Sequence, residues 1–183
     1  LHALYKNMKD GTMKQRAAYQ AIEALQVLED LRTYTPVLCG TIPIGIDVDD
    51  SDLDIVMEVN DLSTFKEKVT NLYGGLPDFT IKHKVIDEHD VVKANFMFKG
   101  FEFELFGQDQ PVQCQRAYVH MMIEHELLKD NPLLRDNVIE LKKKGYKTEP
   151  AFCEWLGIEG DPYEGLIQYG GEREIISPRG VQS

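Results

Sequence analysis

The sequence predicts a single α+β domain: a helix, a run of strands, then a helical C-terminal third. Three observations carry this expectation. Apolar residues recur at helical spacing between 12 and 33, alternating and β-branched stretches dominate 36–106, and helical periodicity returns after 110.

In chain order, the first helix is expected over 12–33. Thr12 followed by Gln15 has the form of a capping box, and Ala18, Ile22, Leu25 and Leu28 share one stripe. "PVLCG", 36–40, reads as a short strand broken at Gly40, and "TIPIGIDVDDS" as a loop, since it mixes Pro, Gly and turn-forming acids. "DLDIVMEV", 52–59, returns to strand. Ser63 is expected to cap a short helix with Phe65, Val69 and Leu72 on one face, ended by Gly74 and Gly75. "FTIKHKVI", 79–86, alternates like a half-buried strand, and "VVKANFMF" and "FEFELF" flank Lys99-Gly100 as a hairpin over 91–106.

Helices follow at 111–129, with Pro111 in its first turn, and at 132–144, with Asn131 as cap, Pro132 at the first position and Gly145 past the end. "AFCEWLG" reads as one more short helix, with Trp155 its core anchor. The domain is expected to span 1–168, its helical part 111–168, with 169–183 a frayed tail.

The charge balance narrows the function. Twenty Lys and Arg against 31 Asp and Glu give a net −11, which argues against wholesale binding of a nucleic-acid backbone. Cys39, Cys114 and Cys153 are odd in number and far apart, a pattern that suits neither a disulfide framework nor a zinc site. No apolar run approaches the roughly 18 residues of a membrane helix, and no basic-then-apolar leader opens the chain. The expectation is a soluble cytoplasmic protein with no membrane partner.

The chemistry is concentrated in "SDLDIV". Residues two apart on a strand share a face roughly 7 Å apart, so Asp52 and Asp54 project together while Leu53 and Ile55 face the opposite, buried side. Asp is disfavoured in strands, and two neighbouring carboxylates repel unless a cation sits between them. Mg²⁺ is the natural candidate, because it takes one or two carboxylates together with substrate phosphates. Two such ions about 3.5–4 Å apart serve phosphoryl-transfer sites. An EF-hand reading of "DVDDSDLDIVME" fails, since Asp52 stands where that loop requires glycine.

"LCGT", followed after ten residues by "DLDI", resembles the signature of the polymerase-beta-type nucleotidyltransferase superfamily. A longer likeness over about 12–168 rests on "GTIPIGI…SDLDIV", "FELFGQ…PV..Q.AY.H" and "KTEPAF". It is to an uncharacterised, mostly bacterial family of diverged nucleotidyltransferases. The resemblance implies a nucleotidyltransferase-like fold, a mixed twisted sheet flanked by helices. It implies transfer of a nucleoside monophosphate from an NTP to a hydroxyl of a small-molecule or protein acceptor.

By position, Gly40 and Thr41 would line the phosphates, and Asp52 and Asp54 would hold Mg²⁺, one ion or two. Glu104 in "FEFELFGQ" would be the third acid, with Glu102 on the same face as second choice. Thr41 stands where Gly or Ser is usual, and Glu104 where Asp is commoner. Those departures keep two alternatives open: a catalytically lapsed nucleotide- and metal-binding protein, or an interaction protein such as a toxin–antitoxin component. Lys82, Lys84 and Lys93 suit either triphosphate neutralisation or a solvated strand face. His120 and Glu124, one helical turn apart, and His125 on another face, are read as surface or packing residues; His120 could also border the site. Cys39 is read as a small buried residue.

Overall fold

The structure is a computed structural model that describes residues 2–176. After a short α1 (Ala3–Asn7), α2 (Met13–Leu25) opens with a complete capping box. Gln15 N donates to Thr12 Oγ1 at 3.2 Å, and Thr12 N donates to Gln15 Oε1 at 3.0 Å. The helix expected over 12–33 is interrupted at Gln26, whose φ of 58° is left-handed. A short α3 (Val27–Asp30) and a 3-10 turn (Arg32–Tyr34) follow. The break brings Val27 and Leu31 fully into the core.

Five strands form one mixed sheet in the order β1-β2-β5-β4-β3. They are β1 (Val37–Cys39), β2 (Leu53–Glu58), β3 (Thr80–Ile86), β4 (His89–Phe98) and β5 (Phe101–Gln108). β2 and β5 run parallel and every other pair antiparallel. The β4–β5 hairpin turns on Lys99 and Gly100, both at positive φ, as a two-residue connection that follows the strand twist demands. Helix α4 (Leu62–Tyr73) lies between β2 and β3 and is capped by Asp61, not Ser63. The Asp61 carboxylate accepts from the backbone N–H of both Ser63 and Thr64.

The two faces of the sheet carry different cores. Leu53, Ile55 and Met57 point into a cluster with Ile22, Leu31, Phe65 and Val69 from the N-terminal helices and α4. Phe96 and Phe103 stack there at 5.4 Å. Burial of each such side chain contributes roughly 1.5–3 kcal/mol. Val37, Cys39 and Val56 face a second cluster with Val119, Ile123, Val138, Phe152 and Leu166. These come from α5 (Arg116–Asp130), α6 (Pro132–Lys143), α7 (Thr148–Leu156) and α8 (Pro162–Glu172). Asp54, two residues before Val56 on β2, therefore sits on the sheet face that the C-terminal helices cover.

Several expectations shift. β3 is exposed along nearly its whole length, an edge strand whose Lys82 and Lys84 face solvent and blunt strand pairing. A 3-10 turn (Val112–Cys114) replaces the start of the helix expected at 111. Trp155 is 39% exposed and lies outside the core; Ala151, Phe152 and Cys153 are the buried residues of α7. Helix α8 runs through the tail boundary expected at 169, with Gly170 buried against Ile123. Residues 177–183 of that tail lie outside the described residues. Among the described residues no helix is long and apolar enough to cross a membrane.

Candidate functional site

Strand register assembles the acids. Cys39 pairs with Asp54, Asp54 with Glu104, and Glu104 with Asn95, so these residues form one row across four strands. Asp52 precedes β2 by one residue and points the same way as Asp54. One carboxylate oxygen from each of Asp52, Asp54 and Glu104 lies within 4.8 Å of the other two. Glu102 stands outside this trio. Asn95 Nδ2 donates to Glu102 Oε1 at 3.0 Å and to Glu104 Oε2 at 3.5 Å. Lys93 Nζ reaches Glu104 Oε2 at 2.6 Å. Of the three strand lysines only Lys93 meets the acids; Lys82 and Lys84 lie one strand further out.

The electrostatics show a shortage of positive charge. Burial, followed by repulsion from Asp52 and Glu104, pushes the Asp54 carboxyl up to about 8. Burial, with Glu104 and Glu102 adding to it, also raises Asp52. Lys93 opposes both shifts without cancelling them. Three hard oxygen donors at this spacing, short of a counter-charge, fit a divalent cation of the Mg²⁺ or Mn²⁺ kind. Cys39 is fully buried, and burial with the neighbouring Asp54 drives its thiol well above the usual range. It is a packing residue without thiolate character.

Beside the acids lies the Gly40 turn. Gly40 has φ +82°, and a Cβ there would sit 2.5 Å from Asp54 Oδ2. Both the backbone conformation and the space require glycine. Thr41 Oγ1 donates to Ser51 Oγ at 3.2 Å, and Ser51 Oγ accepts from Val48 N at 2.9 Å, which closes the loop on itself.

Distant basic and amide side chains fasten the same loop by its carbonyls. Lys14 donates to Val48 and Asp49, Gln15 to Ile42, and Lys142 to Ile46. Arg135 donates to Ile44 and Gly45 at 2.6 and 2.7 Å. Ile42, Ile44 and Ile46 are buried beneath it. Six carbonyl bonds and three buried isoleucines make a fixed platform of a segment that reads in sequence as a plain loop.

Two clefts meet at Asp54. The first, about 410 Å³, has Gly40, Thr41, Ser51 and Asp52 on one wall and Glu124, Lys142 and Lys147 on the other. His120 also lines it; it is 4% exposed and contacts the Tyr163 carbonyl at 3.0 Å and Glu149 at 3.5 Å. The second cleft, about 520 Å³, runs from Asp54 and Glu104 past Phe106 to Gln108, Gln110 and Gln115.

Of the surface and packing roles that the sequence leaves open for Glu124, the structure shows a buried one: it is 3% exposed, and its Oε1 has no hydrogen-bond partner. Burial and then Glu149 raise its carboxyl well above the ordinary range. Burial also lowers the Lys142 ammonium. The sequence cues to this wall were the His120–Glu124 spacing and the "KTEPAF" block that opens at Lys147; Lys142 gave none, because its place at the site depends on how α5 and α6 pack.

A domain-family profile matches residues 20–169, most of the chain. The chain belongs to the family described as Domain of unknown function (DUF4269). Its fold is shared with nucleotidyltransferase structures. The Cid1 poly(U) polymerase with MgGTP bound superposes at TM-score 0.54 and 13% identity, over 78% of this chain and 48% of that one. The GLD-2/RNP-8 complex superposes at 0.56 and 11%, over 84% and 58%. A cytoplasmic RNA terminal U-transferase superposes at 0.52 and 14%, over 76% and 44%. The DUF4269 chain thus spans about half the length of these neighbours, and the likeness is one of fold. A search of curated protein sequences found no match.

Proposed function

We propose that this DUF4269 protein is a divalent-metal-dependent nucleotidyltransferase that moves a nucleoside monophosphate from an NTP to a hydroxyl of a small-molecule or protein acceptor. One observation carries the reading: three carboxylate oxygens within 4.8 Å of one another, at the junction of two clefts in a nucleotidyltransferase fold. Mg²⁺ held by Asp52, Asp54 and Glu104 would neutralise phosphate charge as it develops. Gly40 lets the backbone approach the phosphates, and Thr41 offers its hydroxyl beside them. Lys142 and Lys147 on the facing wall supply the positive charge that a triphosphate needs. Glu104 orients the acceptor hydroxyl and takes its proton. The acceptor oxygen then bonds to the α-phosphorus as the bond to the β-bridging oxygen breaks, and pyrophosphate leaves.

The names of the fold neighbours place their activity on RNA. A net charge of −11 supports a different kind of acceptor here. Cys39 and Cys153 as buried thiols support a cytoplasmic setting. A second reading, nucleotide binding without transfer, is favoured by the 2.6 Å Lys93–Glu104 ion pair, which already engages the proposed proton acceptor. Incubation of the protein with Mg²⁺, α-labelled NTPs and a nuclease-treated small-molecule extract separates the two. Transfer predicts a labelled product and an equal amount of pyrophosphate, both lost in Asp54→Asn; nucleotide binding with neither product establishes the second reading.

A further inference from the structure

In-line displacement puts the attacking oxygen and the leaving pyrophosphate on opposite sides of the reacting phosphorus. The cleft with Gly40, Thr41, Lys142 and Lys147 has the chemistry of a phosphate site. The second cleft, which shares Asp54 with it and contains Glu104, is where an acceptor would approach. Its lining differs in kind. Gln115 is 1% exposed, and its Nε2 donates to the Met57 carbonyl at 3.0 Å and the Gln110 carbonyl at 2.9 Å. Those two bonds fix the carboxamide, and its Oε1 has no donor. A buried acceptor left unpaired costs about 1–3 kcal/mol, and a ligand hydroxyl recovers that energy once the side chains that shield this oxygen move aside. Gln108, 7% exposed, donates to Gln110 Oε1 at 2.5 Å and extends the row of amides.

Charge and shape narrow the ligand further. Arg116, the guanidinium of this cleft, is held between Asp87, at 3.0 Å, and Glu164, which leaves it little charge to offer a phosphate. With Asp54 and Glu104, four carboxyl groups line the space. Phe106 and Ile167 give it an apolar wall against which the C–H face of a saturated ring can lie. About 520 Å³ falls in the range of small-ligand pockets.

We propose that this cleft is an acceptor subsite for a compact, neutral polyhydroxyl ring, of sugar or cyclitol type, held by the carboxamides of Gln108, Gln110 and Gln115. The inference rests on the nucleotidyltransferase reading for its place in the reaction, while binding to the cleft is measurable without it.

The test is a titration of the isotope-labelled full chain with myo-inositol and methyl α-glucoside, with and without Mg²⁺ and a non-hydrolysable ATP analogue. Glucose 6-phosphate and oligouridylate serve as anionic comparators, and the side-chain amide resonances of the three glutamines are followed. The expected result is a saturable shift of those resonances by the neutral polyols, with affinity at least tenfold above that for either anion. Gln110→Ala, at a half-exposed position, should weaken polyol binding at least fivefold in a variant whose thermal melt shows it to be folded. Tighter binding of either anion, or glutamine resonances unmoved by the polyols, overturns the proposal. Failure of the ATP analogue to bind refutes the transferase reading instead, and the titration without nucleotide keeps the two failures apart.

Discussion

Replacing Asp54 by Asn should make the metal-free protein more stable while it removes metal binding. In the fold the Asp54 carboxyl is pushed up to about 8 by burial and by Asp52 and Glu104, whereas in the unfolded chain it ionises near 4. Between those two values the folded state binds a proton that the unfolded state does not. The contribution of Asp54 to stability therefore falls as pH rises from about 4 to about 8. At about 1.4 kcal/mol per pH unit over roughly four units, the ceiling on that loss is about 6 kcal/mol. Asn keeps the volume and removes the charge but brings an amide that also needs partners, so a net gain of about 1–3 kcal/mol at pH 8 is expected. For a chain of this length that corresponds to a rise in Tm of roughly 3–10 °C.

The assay is thermal unfolding in chelator at pH 5 and pH 8. Asp54→Asn should melt above wild type at pH 8, with the gap narrowing at pH 5. Adding Mg²⁺ at pH 8 should raise the wild-type Tm and leave the variant unmoved, because the cation stabilises the ionised carboxylate. A variant less stable than wild type at pH 8 without metal, or an equal pH slope in both proteins, would refute the reasoning.

Three further outcomes are expected. Gly40→Ala forces a Cβ to within 2.5 Å of Asp54 Oδ2 at a φ of +82°; it should cost about 1–2 kcal/mol of stability and weaken Mg·NTP binding more than tenfold by calorimetry. Arg135→Ala strips the donors from the Ile44 and Gly45 carbonyls; denaturant unfolding should show a loss of about 1–3 kcal/mol, with nucleotide affinity falling although no phosphate contact is removed. Glu124, whose carboxyl burial holds protonated well above its usual range, loses stability as pH rises from its unfolded value toward its folded one. Glu124→Gln should therefore raise Tm more at pH 8 than at pH 5.

What was legible in the chain was local. The Thr12–Gln15 box, the Asn131-Pro132 start, the Lys99-Gly100 turn and the alternation of "DLDIV" each lie within a few residues, and each formed as read. A third acid on "FEFELF" was what the family resemblance implied; alternation puts Glu102 and Glu104 on one face without choosing between them, and it is the β2–β5 register that sets Glu104 beside Asp54. What stayed hidden depends on tertiary contact. Nothing near Lys14, Arg135 or Lys142 reveals that they fasten the 41–51 loop, up to 96 residues away. "TIKHKVI" alternates as a half-buried strand does, but alternation does not say whether anything covers either face, and little does. Helix α8 was concealed by Gly165, Gly170 and Gly171, weak helix formers; Gly170 is accommodated because Ile123 occupies the space a Cβ would need, 2.6 Å away.

The most direct test of the central claim is a calorimetric titration of the protein with each NTP in the presence of Mg²⁺, wild type against Asp52→Asn/Asp54→Asn. The account predicts micromolar, metal-dependent binding in wild type and none in the double variant, with the variant still folded. Binding that survives loss of both aspartates, or wild type that binds no NTP at all, would contradict it.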